Sequence, residues 1–195
     1  MAAGRRGKRV SGGGSELVIR RPSPEEYPEI DRLIEESYAH DYGPSDPHDD
    51  PVYRSAVRDR DYEVWVAADA DGRLLGSVTL RAPGGPPLHE DVAERELDLR
   101  LLGVAPSARR RGVAAALMRQ AAVRAAETGR AAVVLKTAPN MRGAHRLYEA
   151  LEFSRAPERD GLWIDGERVL DLYTYVFRLY EACSATWSTP SCGRG

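Results

Sequence analysis

With 195 residues, of which 42% are hydrophobic and 30% charged, the chain suits one globular domain with tails and argues against two full ones. A formal net charge of −2 provides no overall attraction to nucleic acid or to anionic membranes. No apolar run approaches the roughly 20 residues of a membrane span, and the basic N-terminus (Arg5, Arg6, Lys8, Arg9) lacks the apolar stretch of a secretory signal. A cytoplasmic protein is expected, with Cys183 and Cys192 as free thiols.

Residues 1–14 and 182–195 read as disordered ends, the first of them basic, around a folded body at 15–181. The body opens with a short strand over 16–20, closed by Pro22. Ser23-Pro24-Glu25-Glu26 is a helix start, and Ile30, Leu33 and Ile34 supply its apolar face. A second helix stays open in this region, and the Asp-, Pro- and Gly-rich segment 41–51 is expected to be loop. Strands over 62–67 and 74–80 flank the hairpin turn Asp69-Ala70-Asp71-Gly72. After the Pro/Gly loop 83–87 comes a central strand over 96–104, then a helix from Gly112 to Gly129. Ala132-Val133-Val134-Leu135 is a short all-apolar strand, suited to burial on both faces. A helix over 141–151 places Ala144, Leu147, Tyr148 and Leu151 on one side. Strands at 162–164 and 169–179, joined by Asp165-Gly166, close the body. This mixture calls for a central sheet with helices on its faces, an α/β (α+β) single domain.

Between the central strand and the following helix lies Val104-Ala105-Pro106-Ser107-Ala108-Arg109-Arg110-Arg111-Gly112-Val113-Ala114. Backbone N–H groups at a helix start lack intrahelical partners, and the helix dipole adds positive potential. Gly112 lets a ligand approach the backbone closely, and Ala114 is small enough not to obstruct it. Strand, basic turn and helix start together make a site for a phosphorylated ligand.

The spacing Arg109-x-x-Gly112-x-Ala114 resembles the pyrophosphate-binding loop of the GNAT superfamily of N-acetyltransferases. Ala144-x-x-Leu147-Tyr148-Glu149-x-Leu151-x-Phe153 is similar to a downstream segment of that family, and 98–106 resembles its central strand. The resemblance covers about 16–180 and implies the GNAT fold, a mixed, mostly antiparallel sheet flanked by helices. It also implies direct acetyl transfer from acetyl-CoA, as cosubstrate without a metal, to an amine of a small molecule or a protein. The dinucleotide and P-loop fingerprints are absent, which points from nicotinamide dinucleotides and ATP toward CoA.

On the same resemblance, Leu102, Gly103 and Val104 offer main-chain hydrogen bonds to the pantetheine arm. Arg109, Arg110, Arg111, Gly112, Val113, Ala114 and Ala115 surround the pyrophosphate, and Tyr148 protonates the departing thiolate. A phenol with pKa near ~10 stays protonated at neutral pH and can donate as charge develops on sulfur; the alternative is a core tyrosine. Asp98 is a candidate base, because a lysine-like amine of pKa ~10.4 costs about 4–5 kcal/mol to deprotonate at pH 7. A water relay, or a salt-bridged Asp98 beside Glu96 and Arg100, are the alternatives. The family often has Asn seven residues before the tyrosine, where Met141 stands here, so the contact with CoA is open between Asn140 and Met141.

The acidic segment 40–50 is read as a solvated loop, with attraction of a cationic amine or a metal site as alternatives. A catalytically degenerate CoA-binding sensor or scaffold is the competing function. Nucleic-acid binding lacks aromatics interleaved with the arginines. The acceptor's identity is open, as is assembly into a homodimer.

Overall fold

The computed structural model describes residues 8–12, 15–42 and 53–179. Cys183, Cys192, the C-terminal end from 180 and most of the acidic loop lie outside the described residues. The strands are β1 (Lys8–Gly12), β2 (Ser15–Arg20), β3 (Tyr62–Ala68), β4 (Leu74–Arg81), β5 (Glu96–Val104), β6 (Ala132–Thr137), β7 (Ser154–Arg155), β8 (Leu162–Ile164), β9 (Glu167–Leu170) and β10 (Tyr173–Arg178). The helices are α1 (Tyr27–Tyr42), α2 (Ser55–Asp61), α3 (Val113–Glu127) and α4 (Arg142–Ala150).

One sheet runs β1-β2-β3-β4-β5-β6-β10-β7, and every neighbouring pair is antiparallel except β5 with β6. That parallel pair needs a long crossover, which α3 supplies. The expected mixed, mostly antiparallel sheet with helices on its faces is present. β1 falls within the segment expected to be disordered; it pairs with β2, covering an edge that would otherwise expose unpaired backbone groups.

Helix α1 begins as its sequence predicts. The Ser23 N–H donates to the Glu26 carboxylate (2.7 Å), which also takes both arms of the Arg20 guanidinium. Ile30, Leu33 and Ile34 pack on Val64, Val66 and Leu74, forming one face of the sheet. The helix continues through Asp41 and Tyr42, where loop was expected. On the opposite face, Leu97, Leu99, Val133, Leu135, Tyr175 and Phe177 pack against Val113, Leu117, Ala121 and Tyr148.

The C-terminal segment departs from its expected form. Residues 169–179 are not one strand: β8 and β9 form a separate hairpin, and β10 starts anew at Tyr173 in the main sheet. Asp165 and Gly166 turn the hairpin at φ 52° and 79°. Its Trp163, Ile164, Val169 and Leu170 are exposed, so apolar composition here did not mean core.

Candidate active site

Strand β5 delivers the chain to the site through a bulge. Ser77 pairs with Gly103 and Thr79 with Arg100, so Leu101 and Leu102 stand opposite Val78 alone. Leu101 adopts φ 52°, a left-handed conformation that costs a non-glycine residue about 1–3 kcal/mol. The bulge resets the alternation: Leu101 packs on the α1 face, and Leu102 and Val104 pack on the α3 face. Gly103 faces α1 so closely that a Cβ there would lie 2.6 Å from Ser37 Oγ and 2.7 Å from Ile34 Cδ1.

Beside the bulge the sheet opens. β5 and β6 pair from Glu96 with Ala132 to Leu99 with Leu135, and the pairing stops there. The β5 edge at Leu102, Gly103 and Val104 therefore has no strand on that side, while its other edge is held by β4. An extended ligand can add to such an edge as a strand would.

Past β5, a 3-10 turn at Pro106–Ala108 leads into the arginine loop. Arg110 and Gly112 both have positive φ (58° and 77°), the turn chemistry that gathers successive N–H groups around an anion. The first helical bond runs from the Ala116 N–H to the Gly112 carbonyl (2.9 Å), so the N–H groups of Val113, Ala114 and Ala115 precede it. Arg110, Arg111 and Gly112 are exposed. Arg109 differs from its neighbours: it is half-buried and donates to the Ser37 carbonyl (3.2 Å), tying the loop to α1.

Tyr148, on α4, is buried in an aromatic group with Phe153 and Tyr175, their ring centroids 6.1 and 5.5 Å away. Burial and a bond from the Tyr175 hydroxyl to Glu149 (3.1 Å) push the Tyr175 phenol above its ordinary range. Asn140 is exposed, and its carbonyl accepts the Arg142 N–H. The Met141 sulfur instead accepts from the Thr137 hydroxyl at 3.5 Å, at the end of β6.

The structure does not bring Asp98 and Tyr148 together. Asp98 pairs in register with Val134, between Leu97 and Leu99, and points to the face opposite Tyr148. It is fully buried; its Oδ2 accepts the N–H groups of Leu88 (2.7 Å) and His89 (2.9 Å) and lies 3.2 Å from His89 Nδ1. Its Oδ1 has no hydrogen-bond partner. The ion-pair partner of Asp98 is thus His89, and on the same strand Glu96 pairs with Arg159 at 2.9 Å.

Two buried cations escaped the sequence reading. Lys136 lies against Asp91 (3.1 Å) and the carbonyls of Arg159 and Gly161, pinning the chain ahead of β8. Arg58 lies under α1 on a helix too short and polar to show periodicity. Among the described residues no helix is long and apolar enough to cross a membrane, and no metal-binding cluster of His, Cys, Asp or Glu occurs.

A sequence profile of the Acetyltransferase (GNAT) family matches residues 27–153. No curated protein is significantly similar in sequence. The structure resembles a GNAT-family acetyltransferase of Staphylococcus aureus Mu50 (TM-score 0.66, 16% identity, covering 84% of this chain and 99% of that one). It also resembles spermidine N-acetyltransferase from Vibrio cholerae, solved with CoA and spermine (TM-score 0.59, 20% identity, 84% and 96% covered). A third similar structure is yncA from Salmonella typhimurium with its cofactor acetyl-CoA (TM-score 0.58, 16% identity, 91% and 99% covered).

Proposed function

Because the chain belongs to the acetyltransferase (GNAT) family, we propose that it transfers an acetyl group from acetyl-CoA directly to an amine, as a cytoplasmic enzyme. The observation that carries this reading is the parting of β5 and β6 after Leu99 beside a positive-φ loop at the start of α3. The loop's N–H groups at Val113, Ala114 and Ala115, with Arg110 and Arg111, suit a pyrophosphate. The free β5 edge at Leu102, Gly103 and Val104 suits the amide groups of a pantetheine arm, which leads from the loop back to the vertex of the gap. Arg109 supports the loop through α1.

At that vertex the amine nitrogen attacks the thioester carbonyl carbon, the C–S bond breaks, and Tyr148 donates its phenolic proton to the leaving sulfur. The amine gives up its proton to water, and water returns one to the Tyr148 phenolate. Asp98, buried on the opposite face and holding the N–H groups of Leu88 and His89, anchors that loop in this scheme and takes no proton. The spermine bound in the V. cholerae relative supports an amine as acceptor.

Calorimetric titration with acetyl-CoA, followed by thiol release over a broad amine panel, tests the reading. Saturable one-site binding and amine-dependent thiol release are expected. Absence of binding refutes the site; binding without transfer to any amine leaves a CoA sensor or scaffold.

A further inference from the structure

The α1/α2 face of the sheet holds more positive charge than acetyl transfer uses. Arg58 is only 1% exposed. Its Nη1 donates to the Thr79 hydroxyl and its Nε to the Tyr53 carbonyl (3.2 Å). Its Nη2 has no hydrogen-bond partner, and the Asp31 carboxylate stands 3.7 Å away. Burial lowers the Arg58 pKa to about 10, with the Asp31 carboxylate opposing that fall and the positive charge of Arg100 contributing to it. Arg100 is the register partner of Thr79, and its guanidinium lies 5.5 Å over the Tyr53 ring.

Among the described residues, nearby carboxylates do not balance the pair. Asp31 already accepts the Ser55 N–H (2.7 Å) and offsets one charge. Asp59 is taken by Arg21, the Tyr27 hydroxyl and the Val64 N–H. Among the described residues one positive charge is left uncompensated beside a buried donor whose bond is unmade, an arrangement that is costly in a purely structural role. It also lies in a telling place. Arg100 is the first β5 residue past the last β5–β6 pair, so it borders the gap on the face opposite Tyr148.

We propose that Arg58 and Arg100 form the carboxylate-binding half of the acceptor site, so that the acceptor is an amine that also bears a carboxylate, an amino acid being the simplest. The inference rests on the acetyltransferase reading of the same site. A monoanion matches the single excess charge, whereas a phosphate dianion calls for another cation. The planar guanidinium fork fits a carboxylate with paired, charge-assisted hydrogen bonds.

Thiol release from acetyl-CoA is measured with α-, β- and γ-amino acids, each paired with its own carboxamide. The wild-type protein is expected to favour the carboxylate of at least one pair by about 10- to 100-fold in kcat/KM, chiefly through KM. Arg100→Gln, at a half-buried position, is expected to shrink that ratio by at least about 10-fold, and Arg100→Lys to restore part of it. A wild-type ratio near one, a ratio unmoved by Arg100→Gln, or turnover confined to amines without a carboxylate overturns the proposal. Titration of the same wild-type sample with acetyl-CoA separates the two readings. Tight binding with no response to any amino acid defeats this inference alone, and no binding defeats both.

Discussion

Gly112 is where backbone geometry and ligand charge can be varied separately. Its φ of 77° is left-handed, yet a Cβ built there meets nothing within 4 Å. A Cβ at this exposed position is therefore accommodated in space and strained only in the backbone, by about 1–2 kcal/mol. For a chain of this size that corresponds to a Tm lower by about 2–8 °C. Gly112→Ala should show that cost and little else. Gly112→Glu should be no less stable than the alanine variant, since an acidic group at a helix N-terminus is favourable. Against a pyrophosphate the same carboxylate is repulsive. One like-charge pair at ~4 Å and an effective dielectric of ~20 costs about 4 kcal/mol, close to ~10³-fold in affinity. Scanning calorimetry gives the two Tm values, and titration calorimetry with acetyl-CoA gives the affinities. A glutamate variant that binds acetyl-CoA within about tenfold of the alanine variant would show that the loop does not hold the pyrophosphate.

Tyr148→Phe keeps the ring among Phe153 and Tyr175 and should lower kcat by about 10²–10⁴ with acetyl-CoA affinity little changed; normal turnover makes Tyr148 a core residue. Gly103→Ala drives a Cβ against Ser37 and Ile34, and urea unfolding should show a loss of about 1–3 kcal/mol from overpacking. Stability should also fall in acid. The Arg20 partner holds the Glu26 carboxyl below its ordinary range, and the Arg155 partner does the same for Asp160. Groups with depressed folded-state pKa values contribute stability above their unfolded pKa and lose it as pH falls through the folded value. Tm should therefore decline as pH drops below about 4, and Asp160→Asn should flatten that decline; an unchanged slope removes Asp160 from the effect.

What was legible in the chain is what short-range chemistry dictates. The Ser23–Glu26 start of α1, the Asp69 hairpin and the apolar run 132–135 of β6 were readable because each is set by a few adjacent residues. The arginine loop was readable too, but not the division of labour within it, since only the packed α1 shows that Arg109 reaches Ser37. The placement of Asp98 depends on a loop ten residues earlier in sequence folding over it, and alternation alone could not reveal that cover. The β8–β9 turn was legible, but the end of β9 at Leu170 and the fresh start of β10 at Tyr173 were not, because the residues on both sides of the break have strand character. Arg58 carried no signal in the sequence: nothing local distinguishes it from the exposed Arg60 beside it on α2.

A crystal structure of the protein with acetyl-CoA tests the central claim most directly. The account predicts pyrophosphate on the N–H groups of Val113–Ala115, pantetheine along the β5 edge at Leu102–Val104, and the thioester sulfur within hydrogen-bond reach of the Tyr148 hydroxyl. Acetyl-CoA bound on another surface, or a pantetheine arm that stays outside the gap between β5 and β6, would contradict it.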